Sequence, residues 1–154
     1  IKRNFWCETL YKDKMVACVS AKSPLVEKSV ISLEEWLTYP LAMTIGCAYD
    51  HKALEIAAHK KLPHPDIVLV TSDSMWIKDW VSTGNAVTCL VENLIHTAPW
   101  NMENEIRDSI CIIPFKEDLD LSYILVRQLS EENDNIVYNL FTEKLRKFFS
   151  IQLL

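Results

Sequence analysis

Residues 40–94, PLAMTIGCAYDHKALEIAAHKKLPHPDIVLVTSDSMWIKDWVSTGNAVTCLVENL, decide the fold. The apolar run Leu41 to Ile45 ends at Gly46 and predicts a strand. A helical run follows from Asp50 to Lys61, with Asp50 as its expected N-cap. Leu54, Ala57 and Ala58 fall on one face, and Lys52, Glu55 and Lys60 on the other. Pro63-His64-Pro65 closes that helix, and Asp66 to Val70 reads as the next strand. Ser72 or Asp73 then caps a helix from Ser74 to Ser82, with Trp76, Ile77, Trp80 and Val81 as an apolar stripe. Gly84 supplies its left-handed stop, and Ala86 to Val91 is a third strand. Strands alternating with helices of this length imply βαβ units and a parallel sheet. Ligands of open parallel sheets sit outside the carboxyl ends of the strands. The loops Thr44 to Asp50 and Thr71 to Ser74 are therefore the candidate ligand-holding surface.

Working outward, Asn4 to Leu10 reads as extended, 11–14 as a polar break, and Met15 to Ser20 as a buried strand. Lys22-Ser23-Pro24 signals a turn. Ser32-Leu33-Glu34-Glu35 has the form of a capping box, in which Ser32 accepts from the backbone and Glu35 reaches back. Pro40 ends that short helix. Beyond Val91, a short helix and loop over 92–105 lead to strands Ile110 to Phe115 and Ser122 to Arg127. An acidic turn separates these two strands. An amphipathic helix from Glu132 to Phe149 closes the chain, with Val137, Leu140, Phe141, Leu145 and Phe148 on one side.

Composition excludes several classes. Half of the 154 residues are hydrophobic, a quarter are charged, and there is no low-complexity tract, as in an ordinary globular chain. A formal charge of −5 speaks against nucleic-acid binding by this segment, which needs a basic face. No apolar run approaches a membrane span, and Ile1 to Leu10 does not read as a signal peptide. Five scattered cysteines fit reduced thiols in a cytoplasmic protein better than a disulfide framework. Two glycines, Gly46 and Gly84, are too few for a phosphate-binding or dinucleotide fingerprint, and no cofactor is expected.

The pieces are collinear with a known pattern. Leu10 to Ser20 followed by Ser23-Pro24-Leu25, then Ile31 to Leu37 with Pro40 to Met43, then Val81 to Val91, resemble the effector-binding domain of LysR-type transcriptional regulators. The final strand and helix match in order. Two positions depart from the family pattern: Ala86 stands for a usual glycine and Val91 for a usual proline. The resemblance implies an α/β fold like the type 2 periplasmic binding proteins, with one complete lobe (about 15–110). Residues 1–14 and 116–154 would then supply crossover strands and the C-terminal return into the other lobe. It further implies that the βαβαβ start of the domain and the DNA-binding helix-turn-helix lie upstream. The expected partners are a small-molecule effector, DNA only through that helix-turn-helix, and further copies of the chain in a homodimer or tetramer, with no membrane. No catalysis is implied.

On this reading Thr44, Ile45, Gly46 and Tyr49 of the first loop, and Ser72 and Ser74 of the second, are the candidate ligand contacts. Each has a structural alternative. The alternative for Thr44 and Tyr49 is simple closure of the loop over the core, and for Ser72 or Asp73 a helix cap alone. Asp73 also opposes an anion at its helix start. His51 and His59 are eight apart, too far to share a metal without further ligands, and His64 sits between prolines. A Cys47–His51 pair would need mutual hydrogen bonding to act as a nucleophile. The alternatives to the regulatory reading are a transport-type solute-binding protein of the same fold and a Cys/His enzyme.

Overall fold

Two strands open the chain, β1 (Phe5–Asp13) and β2 (Met15–Ser20), in a computed structural model that describes residues 5–95, 109–128 and 136–151. The expected polar break at 11–14 shrinks to Lys14. Tyr11, Lys12 and Asp13 continue β1, because strand pairing uses the backbone and tolerates polar side chains along it. All six residues of β2 are buried, as its MVACVS run dictates. A 3-10 turn (Pro24–Glu27) follows, started by Ser23, whose Oγ accepts from the Leu25 N–H.

Helix α1 (Leu33–Trp36) begins at Ser32, whose hydroxyl accepts from the Glu35 N–H at 3.1 Å. The reciprocal half of the capping box is replaced. The Glu35 carboxylate pairs with Lys28 at 2.8 Å, and the Leu33 N–H donates to Glu117 at 2.9 Å. A distant acidic turn thus satisfies a helix-start donor that local sequence assigned elsewhere.

The remaining elements are β3 (Leu41–Thr44), α2 (Ala48–His59), β4 (Ile67–Thr71), α3 (Ser74–Ser82), β5 (Thr88–Val91), α4 (Glu92–Ile95), β6 (Ile110–Pro114), β7 (Leu121–Gln128) and α5 (Ile136–Ile151). Strands β3 and β4 pair in parallel, in the register Thr44↔Thr71. The expected third parallel strand departs from that scheme. Only Leu41↔Val87 bridges in parallel, and β5 itself pairs antiparallel with β2, which pairs antiparallel with β6 on its other side. The fully buried β2 needs a strand on both edges, and β5 supplies one of them.

Contacts divide the chain into two units, Lys14–Leu121 and Ile1–Asp13 with Ser122–Leu154. In the first, one core cluster joins β2, α1, β3, α2 and β5 around Trp36, whose ring meets Phe115 edge-on at 5.7 Å and whose indole N–H donates to the Thr88 carbonyl. A second cluster packs Ile77 and Val81 of α3 on Cys18, Ala42 and Leu90. In the other unit β1 pairs with β7, and Tyr11, Tyr123 and Phe149 gather with ring centroids about 6 Å apart. Arg146 of α5 grips Glu8 through two nitrogens. The apolar side of α5 is not a buried face: Leu140, Phe141 and Phe148 are each more than half exposed. The Val137 side chain, the segment 96–108 and the expected helix start at Glu132 lie outside the described residues.

Candidate functional site

The parallel register sets the candidate surface. Thr44 and Thr71 are neighbours at the carboxyl ends of β3 and β4, and the Ile45 N–H donates to the Thr71 carbonyl at 3.1 Å. The chain leaves these two ends in separate loops, each leading into a helix. The sheet therefore brings the two candidate loops side by side.

The first loop is a tight turn in which the Cys47 N–H donates to the Thr44 carbonyl. Gly46 has φ +70°, a left-handed conformation that a side chain disfavours. Ile45 and Gly46 are exposed, while Thr44 and Tyr49 are half-buried. The Tyr49 phenol is raised above its ordinary pKa, first by burial and then by Cys47, with Thr44 acting against that rise through a hydrogen bond. Tyr49 packs against both core clusters.

Helix α2 starts earlier than its sequence suggests. Cys47 is the N-cap, without a side-chain cap bond, and Asp50 lies in the first turn, 1% exposed. Asp50 accepts from the Thr44 N–H at 2.8 Å and from the Cys89 thiol at 3.4 Å. Burial raises its carboxyl to about 6, against the lowering effect of those hydrogen bonds and of His51. The buried stripe of α2 runs through Asp50, Ala53 and Ala57, with Leu54 partly covered, and Ala58 faces out.

In the second loop Thr71 Oγ1 accepts from the Asp73 N–H, and Asp73 caps α3 by accepting from the Met75 N–H at 2.9 Å. Ser72 is exposed and Ser74 half-buried, and neither makes the cap. Of the Trp pair, Trp80 packs partly on the second core cluster and Trp76 is 59% exposed. Gly84 has φ +81°, as a helix stop requires.

Sequence reasoning missed Asp50 as a buried carboxyl and Cys89 as its partner. An acid near a helix start reads as a cap, and a thiol donor 39 residues away carries no local signal. Cys89 is more than core filling. Burial, with Asp50 adding to it, holds its thiol well above the usual range, and burial pushes Cys18 up to about 12. No side-chain hydrogen bond joins Cys47 to His51 among the described residues; their link is the backbone bond from the His51 N–H to the Cys47 carbonyl. Also among the described residues, no group of three or more His, Cys, Asp or Glu side chains could hold a metal ion. No helix there is long and apolar enough to cross a membrane.

The comparisons with known proteins converge. None of the curated proteins matches the chain. Among solved structures it is similar to HinK, a LysR family transcriptional regulator from Pseudomonas aeruginosa, with TM-score 0.73 and 14% identity over 97% of this chain and 49% of that one. It is similar to the Synechocystis CcmR regulatory domain in complex with 2-PG, with TM-score 0.73 and 13% identity over 96% of this chain and 68% of that one. The effector-binding domain of QuiR in complex with shikimate gives TM-score 0.68 and 12% identity over 95% and 66% of the two chains. The chain thus spans about half the length of HinK. At these identities the likeness carries the fold, a type 2 periplasmic-binding-protein-like α/β architecture. The family model described as the LysR substrate binding domain matches residues 2–142, nearly the whole chain. The chain belongs to the LysR substrate-binding domain family, the effector-binding regulatory domain of LysR-type transcriptional regulators.

Proposed function

We propose that this domain binds its effector on the surface formed by Thr44, Ile45, Gly46 and Tyr49 of the first loop and Ser72 and Ser74 of the second. Occupancy would alter how a helix-turn-helix borne by the longer protein engages DNA. The observation that carries this reading is the Thr44↔Thr71 register, which sets both loops at one end of one sheet. The signal is a population shift. The ligand changes the output only by as much as it prefers one arrangement over another. Residues about 15–110 are the ligand-holding lobe in this scheme, and 1–14 with 116–154 are the crossover and return. The domain does no chemistry and works in the cytoplasm.

Small polar molecules fit the available groups: hydroxyls of Thr44, Tyr49 and Ser72, and the open backbone of Gly46. The bound 2-PG and shikimate of the two neighbours make small organic acids the first class to try. Asp50 and Asp73 lie in or at the first turns of α2 and α3, so an anionic group is better held by the hydroxyls than by either helix start. The homodimer or tetramer reading gains support from β4, whose Ile67, Val68 and Val70 are exposed, and from exposed Met75 and Trp76 of α3. An apolar strand of this kind is a ready seat for a second copy, and sedimentation velocity distinguishes one, two and four copies.

The test is a thermal-shift screen of small acids, shikimate included, on the wild-type chain and on Thr44→Ala. A binder should raise the wild-type Tm. Losing one hydroxyl hydrogen bond should weaken its apparent affinity by about three- to tenfold, with the ligand-free Tm nearly unchanged. A Thr44→Ala chain that melts far lower without ligand would make Thr44 structural. A binder indifferent to that substitution would place the site elsewhere.

A further inference from the structure

We propose that Asp50 is the positioning residue of the Thr44–Cys47 turn, a buried carboxylate latch whose protonation loosens the candidate ligand loop. Three elements meet at this one side chain. One oxygen takes the N–H of Thr44, the last residue of β3, at 2.8 Å, and the other takes the thiol of Cys89 on β5 at 3.4 Å. The carboxyl itself stands on the first turn of α2. It is 1% exposed, so water does not compete for either bond.

The geometry explains why an acid stands there. The turn from Thr44 to Cys47 is closed by a backbone bond between those two residues, with Gly46 left-handed at its tip. That bond uses the Thr44 carbonyl and leaves the Thr44 N–H pointing toward α2. The sheet does not take that N–H, and a backbone donor left unmet in the interior is costly. Asp50 meets it with a charged acceptor, the stronger kind. Position 44 thus has its carbonyl held by the turn and its N–H held by the helix, which fixes the backbone that carries its hydroxyl. The inference rests on the reading of this loop as the ligand surface only for the use of that hydroxyl.

The titratable groups around the latch are Cys89 with Cys18 behind it, Tyr49 and Cys47 at the loop, and His51 beside it on α2. Charged His51 favours the carboxylate, and burial opposes it. Burial is the largest influence and brings the carboxyl to about 6, so the latch changes state in mildly acidic solution. Above that pH Asp50 holds the Thr44 amide as an ion; below it the bond becomes one between neutral groups and weakens.

The experiment is amide hydrogen exchange by NMR on the ligand-free 154-residue chain, from pH 5 to 8, corrected for intrinsic exchange. The Ala42 N–H, bonded to the Val87 carbonyl at 2.9 Å, serves as internal reference. In the wild type, Thr44 protection relative to Ala42 should fall several-fold as pH drops through about 6. Asp50→Asn keeps an acceptor oxygen and cannot ionise, so its ratio should be restored in part and be flat with pH. Asp50→Ala should lose about tenfold of Thr44 protection at pH 7.5 with Ala42 unchanged. Equal loss at both amides would make Asp50 a core residue only. A pH profile shared by wild type and Asp50→Asn would remove the protonation step, and this variant decides the matter even if Asp50→Ala does not fold. Because no ligand enters the experiment, failure here leaves the ligand reading intact, and failure of the Thr44→Ala binding test leaves the latch intact.

Discussion

The unit Lys14–Leu121 and the unit built on β1, β7 and α5 spend similar residues to different effect. In the first, Trp36, Leu33, Leu41 and Ile113 are all but inaccessible, and elements from both sides close over β2. In the second, helix α5 carries an equally apolar stripe, yet Leu140, Phe141 and Phe148 stand more than half exposed. The same side chains contribute differently because burial stabilises only in proportion to the area removed from water. A stripe on a helix states that a face is meant for contact. It does not state which layer provides that contact.

The comparison breaks most visibly at Trp36. Trp36→Ala removes a fully buried ring, its edge contact with Phe115 and its hydrogen bond to the Thr88 carbonyl. It should cost about 3–5 kcal/mol in urea unfolding, a large share of a small domain's stability. A loss below about 1 kcal/mol would mean that the core cluster does not hold this unit together.

Asp50 gives the next largest effect, and its sign runs against ordinary acid denaturation. Its carboxyl is raised from 3.8 to about 6 in the folded chain, so between those values the folded state keeps a proton that the unfolded state has released. Wild-type stability therefore has a component present in full below pH 3.8, lost as pH rises to about 6, and absent above. Asp50→Asn lacks that component. Its stability advantage over the wild type should grow across this window and level off on the order of 3 kcal/mol. Parallel stability–pH curves for the two proteins would show that Asp50 does not titrate there. The neutral-pH cost is the counterpart of a tightly held loop, a common trade at functional sites.

Phe141→Ser sharpens the comparison from the other side. It should change unfolding free energy by less than about 0.5 kcal/mol, because the ring is already mostly in water. A loss above about 2 kcal/mol would show that something covers the face in solution.

Much of the first unit was legible in its sequence. Met15 to Ser20 forms the predicted strand residue for residue, because six apolar or small residues between turn signals have few other uses. The two strand ends came within one residue, Thr44 for the expected Ile45 and Thr71 for the expected Val70, and the cap at 72–73 and the Gly84 stop follow from local chemistry. Partners were less legible. An apolar run does not say which strand it pairs with: the alternation of strands and helices predicts β5 in a parallel sheet, and it pairs antiparallel with β2. The capping box lost its return bond to Lys28 and Glu117 for the same reason. At the candidate site the loops could be placed from sequence. The buried carboxylate beneath them could not, since only the fold brings Cys89 to Asp50.

Gly46 carries a last consequence. A methyl group built at its Cα would meet nothing within 4 Å, so the position has room to spare. What it demands is handedness, since φ +70° suits a D-residue and resists an L-residue. The loop tip is therefore a place where chirality, and not size, restricts the alphabet. A D-alanine introduced there by chemical ligation should keep the left-handed turn without the backbone strain that L-alanine brings, so comparing the Tm of the two variants would separate handedness from size at the tip of the proposed ligand loop.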